Sequence, residues 1–386
     1  MKTKSKRTLT PKLRFPEFRD KPGWKEQKLG EIVALEYGSP LPEKDRKGGP
    51  FPVIGSNGIV GYHDKAIVDG PAIVVGRKGS AGQVNLIESD CYPIDTTFFV
   101  KNIDPESCPI AFLWRLLERS NLERLGDSGA VPGLNRNEVY LLKTYIPFPP
   151  EQQKIADCLS SLDGVIAAEG RKLAALRDHK RGLMQQLFPQ PGQTQPRLRF
   201  PEFRDRKPWK NKEVGDVFDI KRGQVLAMPL VRDIESIDMP YPVYSSRTKD
   251  QGLSGYYSEY LFEDAITWTT DGANAGDVNY RPGKFYCTNV CGVLLSDEGY
   301  ANLCIAALLN SVTRDHVSYV GNPKLMNGVM AKIVIPFPEH DEQQRISDCL
   351  SALDTLIAAQ AEKIDALKTH KRGLMQQLFP APEEQL

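Results

Sequence analysis

The chain carries the same plan twice. The octapeptide LRFPEFRD at residues 13–20 returns unchanged at residues 198–205. A longer block at residues 151–189 returns at residues 342–380, with 27 of 39 aligned positions identical. IPFPP, from Ile146, and IPFPE, from Ile335, lead into the two blocks, the second copy having gained His340 and Asp341. A repeat of this kind means that each half builds the same supersecondary unit. At 386 residues the chain is long enough for two such units, each with its own core.

The regions between the repeated ends have diverged but keep an outline. GYHDKAIVDGPAIVVGRKGSAGQVN, from Gly61, lines up with GYYSEYLFEDAITWTTDGANAGDVN, from Gly255. Short β-rich runs (FPVIG, AIVVG, TFFV) alternate with glycine turns in the first half, and a helix is expected over residues 110–125. The second half answers with YPVYSS, AITWTT, GVLL and a helix over residues 303–311. The pattern is α+β. Between the halves, FPQPGQTQPRLRF reads as an extended, loosely structured linker.

The repeated blocks read as two long helices bracketed by prolines. Ile155, Leu159, Leu162, Ile166, Glu169, Leu173, Leu176, Lys180, Leu183 and Leu187 are spaced by alternating steps of four and three. Ile346, Leu350, Leu353, Ile357, Gln360, Ile364, Leu367, Lys371, Leu374 and Leu378 follow the same steps, with the same two positions polar. That alternation is the apolar seam of a coiled coil. A parallel, in-register pair would set Lys180 against Lys371, two like charges in an apolar seam. An antiparallel pair avoids this and implies a pseudo-twofold axis. The expected division is a first domain over residues 1–150, a helix over 151–189, a linker over 190–197, a second domain over 198–341 and a closing helix over 342–380.

Fifty Lys and Arg against 49 Asp and Glu give a net charge of +1, so nucleic-acid binding by bulk charge is excluded and any such binding must use local patches. No apolar run is long enough to span a membrane, and the basic N-terminus lacks the apolar segment of a secretory signal. Seven cysteines without zinc-site spacing read as reduced thiols of a cytoplasmic protein. GRKGSAG lacks the GK[ST] end of a phosphate-binding loop. His179 and His370 lie in the repeated helices, and His63, His316 and His340 have no evident partners. No catalytic, cofactor-binding or metal-binding residue is expected.

The loops hold the side chains that read base edges and grip phosphates. In the first half these are Ser56, Asn57, Arg77, Lys78 and Ser80, with Asn135 and Arg136 in a later loop. In the second half they are Arg247, Thr248, Lys249, Thr270 and Asn274, with Lys324 and Asn327 in the later loop. Ser, Asn and Gly also populate ordinary solvated turns, so composition alone leaves both readings open.

KLRFPEF near the start, GLN followed by IPFPPEQQKIADCLSSLD, and HKRGLMQQLFP closing the helix recur in the second half, where LMN replaces GLN. In this layout the chain resembles the specificity subunit of a type I restriction-modification system, over essentially its whole length. The resemblance implies two target-recognition domains separated by two conserved helices in an antiparallel coiled coil. Each domain reads one half of a bipartite double-stranded DNA site, and the helices set the spacing and dock two modification (methyltransferase) subunits. S-adenosylmethionine, ATP and Mg then belong to the modification and restriction subunits, and this chain performs no chemistry itself. The alternative reading is a coiled-coil adaptor with two protein-binding domains.

Overall fold

The computed structural model describes residues 8–126, 133–190, 192–247 and 250–380. The chain divides into two units, one comprising residues up to Gly170 together with those from Lys363 onward, the other Arg171–Glu362. Each long helix is thus shared between units. The expected division treated the helices as separate segments; the structure divides them because each half-helix packs with one set of sheets.

The first unit contains strands β1 (Thr8–Leu9), β2 (Trp24–Lys28), β3 (Val33–Tyr37), β4 (Phe51–Gly55) and β5 (Gly58–His63). These are followed by β6 (Ala72–Gly76), β7 (Val84–Ile87), β8 (Tyr92–Pro93), β9 (Thr97–Asn102) and β10 (Lys143–Ile146). They form three sheets, ordered β1-β2-β10, β3-β9-β6-β7 and β5-β4-β8. The run AIVVG makes β6, buried throughout between β7 and β9, as a continuous β-branched run requires. Helix α1 (Ile110–Arg119) stops short of the expected residue 125, because Asn121 adopts a left-handed conformation and a 3-10 turn follows. Helix α2 (Arg136–Leu141) precedes the last strand. Helix α3 (Pro149–Leu187) then occupies the repeated block.

The second unit repeats the plan. Strand β11 (Lys210–Glu213) and the one-turn helix α4 (Val214–Val217) open it. Strands β12 (Asp219–Arg222), β13 (Tyr241–Tyr244), β14 (Leu253–Tyr257), β15 (Phe262–Thr269), β16 (Val278–Cys287) and β17 (Cys291–Leu295) form one sheet, ordered β12-β17-β15-β16-β13-β14. The long strand β16 takes the place of β7 and β8 together: Val243 pairs in parallel with Tyr286 as Val53 does with Tyr92. Helices α5 (Leu303–Val312) and α6 (Asn327–Ala331), strand β18 (Val334–Phe337), paired with β11, and helix α7 (His340–Leu378) complete it. Asn302 caps α5, its side chain accepting from the Ile305 amide.

Each core is completed by a helix end distant in sequence. In the first unit Phe379 lies edge-on to Trp24 and stacks on Phe112, and Ile155, Leu159 and Leu378 join the same cluster. In the second, Leu187 and Phe188 pack with Trp209, Ile346 and Leu350. Ile155, Leu159, Ile346 and Leu350, expected to serve helix pairing, are therefore buried in the domain cores. Leu162, Ile166, Leu173, Leu176, Leu353, Ile357 and Leu367 are half-buried and Ile364 is buried, while most positions between them are exposed. Within the first unit Lys371 meets Asp163 at 2.7 Å and Lys363 meets Glu169 at 2.5 Å. These contacts advance along α3 as they retreat along α7. Within the second unit Lys180 meets Asp354 at 2.6 Å. Each seam lysine finds an aspartate instead of its counterpart lysine.

The octapeptide fastens these pieces. The Arg14 Nε and Nη2 donate to the two carboxylate oxygens of Glu151 at 2.8 and 2.7 Å, and the Trp24 indole donates to the same carboxylate at 3.2 Å. Arg14 also holds the Lys21 and Pro22 carbonyls. Side-chain exposures of 5% and 1% make this a buried ion pair with its hydrogen bonds satisfied. The hydrogen bond to Glu151 holds the Arg14 pKa above its ordinary value. Arg199, Glu342 and Trp209 repeat the arrangement. The residue before each arginine also donates its amide to the far end of the other helix, Leu13 to the Gln377 carbonyl and Leu198 to that of Gln186. All seven cysteines are free, and among the described residues no helix is long and apolar enough to cross a membrane.

Removing one partner of a buried, hydrogen-bonded ion pair leaves an uncompensated charge and costs about 3–5 kcal/mol. Glu151→Ala should destabilise the first unit by that amount in denaturant unfolding followed by tryptophan fluorescence, and Glu342→Ala the second. A loss below about 1 kcal/mol would show that packing alone holds the octapeptide in place.

Candidate nucleic-acid interface

In the first unit, three separate loops meet on one face. The hairpin between β4 and β5 turns at Ser56 and Asn57, with Gly58 at a positive φ of 107°. The turn after β6 folds back so tightly that a Cβ on Gly76 would lie 2.1 Å from the Ser80 carbonyl oxygen and 3.0 Å from that of Ser56. The later loop joins them: the Leu134 amide donates to the Arg77 carbonyl at 2.8 Å, and Lys78 bridges to Gly133. Ser56, Asn57, Arg77, Lys78, Ser80 and Arg136, picked from separate stretches of sequence, are thereby brought together. Asn57 and Lys78 are exposed, and Ser56, Arg77, Ser80 and Arg136 half-buried. Asn135 is turned to another use: its side chain accepts from the Asn137 amide and caps α2.

The centre of this face is an aromatic ring that sequence reasoning passed over. Tyr37, at the end of β3, is 51% exposed, and the guanidinium groups of Arg77 and Arg136 lie 5.2 and 5.0 Å from its centroid. Arg77 is also anchored along one edge, Nε and Nη2 donating to the Asp95 carbonyl at 3.0 and 2.7 Å. Arginines held over a ring and bonded through one edge are pre-organised, so less freedom is lost when a ligand binds the other edge.

The second unit keeps the frame and changes the side chains. The Leu325 amide donates to the Thr270 carbonyl at 2.9 Å as the Leu134 amide does to that of Arg77, so Thr270 stands where the first unit has Arg77, and Asp271 where it has Lys78. Gly38 and Gly223 both press against a carbonyl of the neighbouring loop, so Arg222 takes the place of Tyr37. The arginine has moved from one strand to the other and still grips the equivalent carbonyl: Arg222 Nε donates to that of Asn289 at 2.8 Å. Its Nη2 reaches Asp271 at 3.4 Å, and Lys324 lies 3.9 Å from the same carboxylate. Lys324 bridges to Asp271 as Gly133 bridges to Lys78.

The remaining expected residues of this unit fare unevenly. Thr270 is 1% exposed and donates to Asp271 at 2.7 Å, so it supports the loop from within and offers no surface, because the β15 end is covered by the loop that follows it. The Asn274 amide donates to the Ser246 carbonyl at 3.1 Å and ties two loops together. Asn327 donates to the Lys221 carbonyl at 3.4 Å. Arg247 is exposed at the rim of a cleft of about 260 Å³ that also holds Arg314, itself paired with Asp277 at 2.7 Å. Thr248 and Lys249 lie outside the described residues.

Beneath this rim sits another cation the sequence did not single out. Arg281 is buried, stacks on Tyr244 at 3.7 Å, and donates to Thr267 Oγ1 and the Gln251 carbonyl. Burial lowers its pKa, and these partners offset the cost of keeping it charged. Only the tertiary placement of Gln251 above β16 shows its role. Tyr37 and Arg222 carried a fainter signal: each stands immediately before a glycine that the two copies share. Among the described residues no group of three His, Cys, Asp or Glu side chains could hold a metal ion.

Known proteins resemble this chain in sequence and in fold. A Mycoplasma pneumoniae protein assigned as a type I specificity subunit N-terminus is 38% identical over 145 residues, 36% of this chain and 75% of that one. The MpnII type I restriction enzyme specificity subunit, from the same organism, is 33% identical over 162 residues, 41% of this chain and 48% of that one. The crystal structure of the type I restriction-modification S subunit from M. genitalium superposes with a TM-score of 0.69 at 18% identity, covering 97% of this chain and all of the other, which shows a common fold. Matching the type I restriction modification DNA specificity domain over residues 21–177 and again over 206–369, the chain belongs to that family and carries its domain twice.

Proposed function

We propose that the chain is the non-catalytic, DNA-reading subunit of a cytoplasmic type I restriction-modification complex, each domain reading one half of a bipartite target. The observation that carries this is one loop frame bearing two unlike sets of polar side chains. A frame kept for stability alone would tolerate the same surface twice; two readers need different surfaces. In the proposal α3 and α7 form an antiparallel coiled coil that spaces the readers and docks two modification subunits. S-adenosylmethionine is then bound by those subunits, and ATP and Mg by restriction subunits. Joining two readers in one chain makes the second contact intramolecular, which raises the affinity for the paired half-sites without new contacts.

Three measurements test the reading. Replacing residues 20–145 by the matching region of a relative, in complex with modification subunits, should change one half of the methylated sequence and leave the other intact; a change in both would sink modular reading. Lys78→Ala and Arg136→Ala remove cations from the first face. Each should weaken binding across all sequences and reduce the salt slope by about 1, and an unchanged slope would place that residue away from phosphate. Adding one heptad at matched positions of both helices keeps the seam in phase and lengthens each by about 10 Å, near three base-pair steps. Sequencing of methylated sites should then find the same half-sites farther apart; the original gap at full affinity would show that other contacts set the spacing.

A further inference from the structure

We propose that two residues of the equivalent loop, Arg77 in the first domain and Asp271 in the second, set base identity, selecting guanine in one half-site and cytosine in the other. This rests on the DNA-reading proposal above and deepens it. The argument starts from which edges of the two side chains are left free. Arg77 uses Nε and Nη2 to hold the Asp95 carbonyl, so its end edge, formed by Nη1 and the second Nη2 hydrogen, remains available. That edge presents two parallel donors, the pattern that matches O6 and N7 of guanine in the major groove. Tyr37 below the guanidinium and the bond to Asp95 fix its orientation, which a phosphate contact would not need.

Asp271, one residue farther along the equivalent loop, in the place of Lys78, carries the opposite chemistry. A carboxylate facing DNA is repelled by phosphates unless cations flank it and an amino group awaits it. Arg222 and Lys324 supply the cations. Oδ2 accepts from Thr270 and from Arg222, while Oδ1 has only the distant ammonium of Lys324, 3.9 Å away, and keeps acceptor capacity. The base edge that offers an amino donor to a carboxylate is cytosine N4. The arginine that clamps the loop has moved to residue 222, which leaves the place of Arg77 to the buried Thr270, whose hydroxyl orients the Asp271 carboxylate without loosening the frame.

The test uses the full chain assembled with its modification subunits and a pool of random-sequence duplexes, enriched by binding and sequenced. Wild type should enrich a bipartite site. Arg77→Lys keeps the charge and loses the fork, so preference for guanine at one position of one half-site should fall by roughly fivefold to 150-fold, with every other position unchanged. Asp271→Asn is isosteric and exchanges one acceptor for a donor, so one position of the other half-site should move from cytosine toward adenine. The unaltered half-site in each variant, with the thermal unfolding midpoint, reports that the fold is intact. The same bases at uniformly weaker affinity, an unchanged site, or loss of a whole half-site would overturn the assignment while leaving the DNA-reading proposal standing. A wild-type complex that enriches nothing would overturn both.

Discussion

The buried pairs of Arg14 with Glu151 and Arg199 with Glu342 hold the places where helix, sheet and chain entry meet. Each carboxylate sits in the first turn of a long helix and accepts from both an arginine and a tryptophan indole. Such a charge is tolerated inside a protein only when its hydrogen-bonding capacity is filled, and here the fork of the arginine fills most of it. Because the preceding residue bonds to the end of the other helix, the octapeptide also determines which two helix ends lie together. The middle glutamine of each EQQ triplet completes the joint by donating to a carbonyl of the IPFP loop, that of Pro147 or Pro338.

This joint explains why the most repeated residues in the chain are absent from the candidate interface. LRFPEF and EQQ serve a geometry that both units need in the same form. The loops at the interface are held by backbone bonds and by glycines at close approaches, constraints that leave exposed side chains free to vary. The relocated arginine illustrates this: the loop carbonyl needs a guanidinium, and either of two strands can provide it, from Arg77 or from Arg222. Moving it leaves a different chemical group at the surface in each unit.

The helices follow the same division between shared frame and local variation. Their polar seam positions are satisfied by Asp163 and Asp354, which belong to the repeated LD pair of each block. Glu169, by contrast, meets Lys363, while its counterpart Gln360 is uncharged and buried. Near the helix ends the apolar stripe turns from one helix toward the sheets, so the same 4-3 pattern serves two kinds of packing.

The sequence by itself determined the duplication, the α+β class, the two long helices with their seam, and the family. These follow from periodicity and exact recurrence, which are local in the chain. The strands FPVIG and AIVVG were equally legible, because buried β-branched runs leave little choice. Tertiary structure alone decided that each unit borrows a helix end from the far half of the chain, that Ile155 and Ile346 serve domain cores, and that Thr270 is buried while Tyr37 is exposed. It also assembled the interface, since Tyr37, Arg77 and Arg136 are separated by dozens of residues and meet only when β3, β6 and α2 pack. A loop side chain has no period to betray its direction, so its partners are set by whichever backbone the fold brings alongside it.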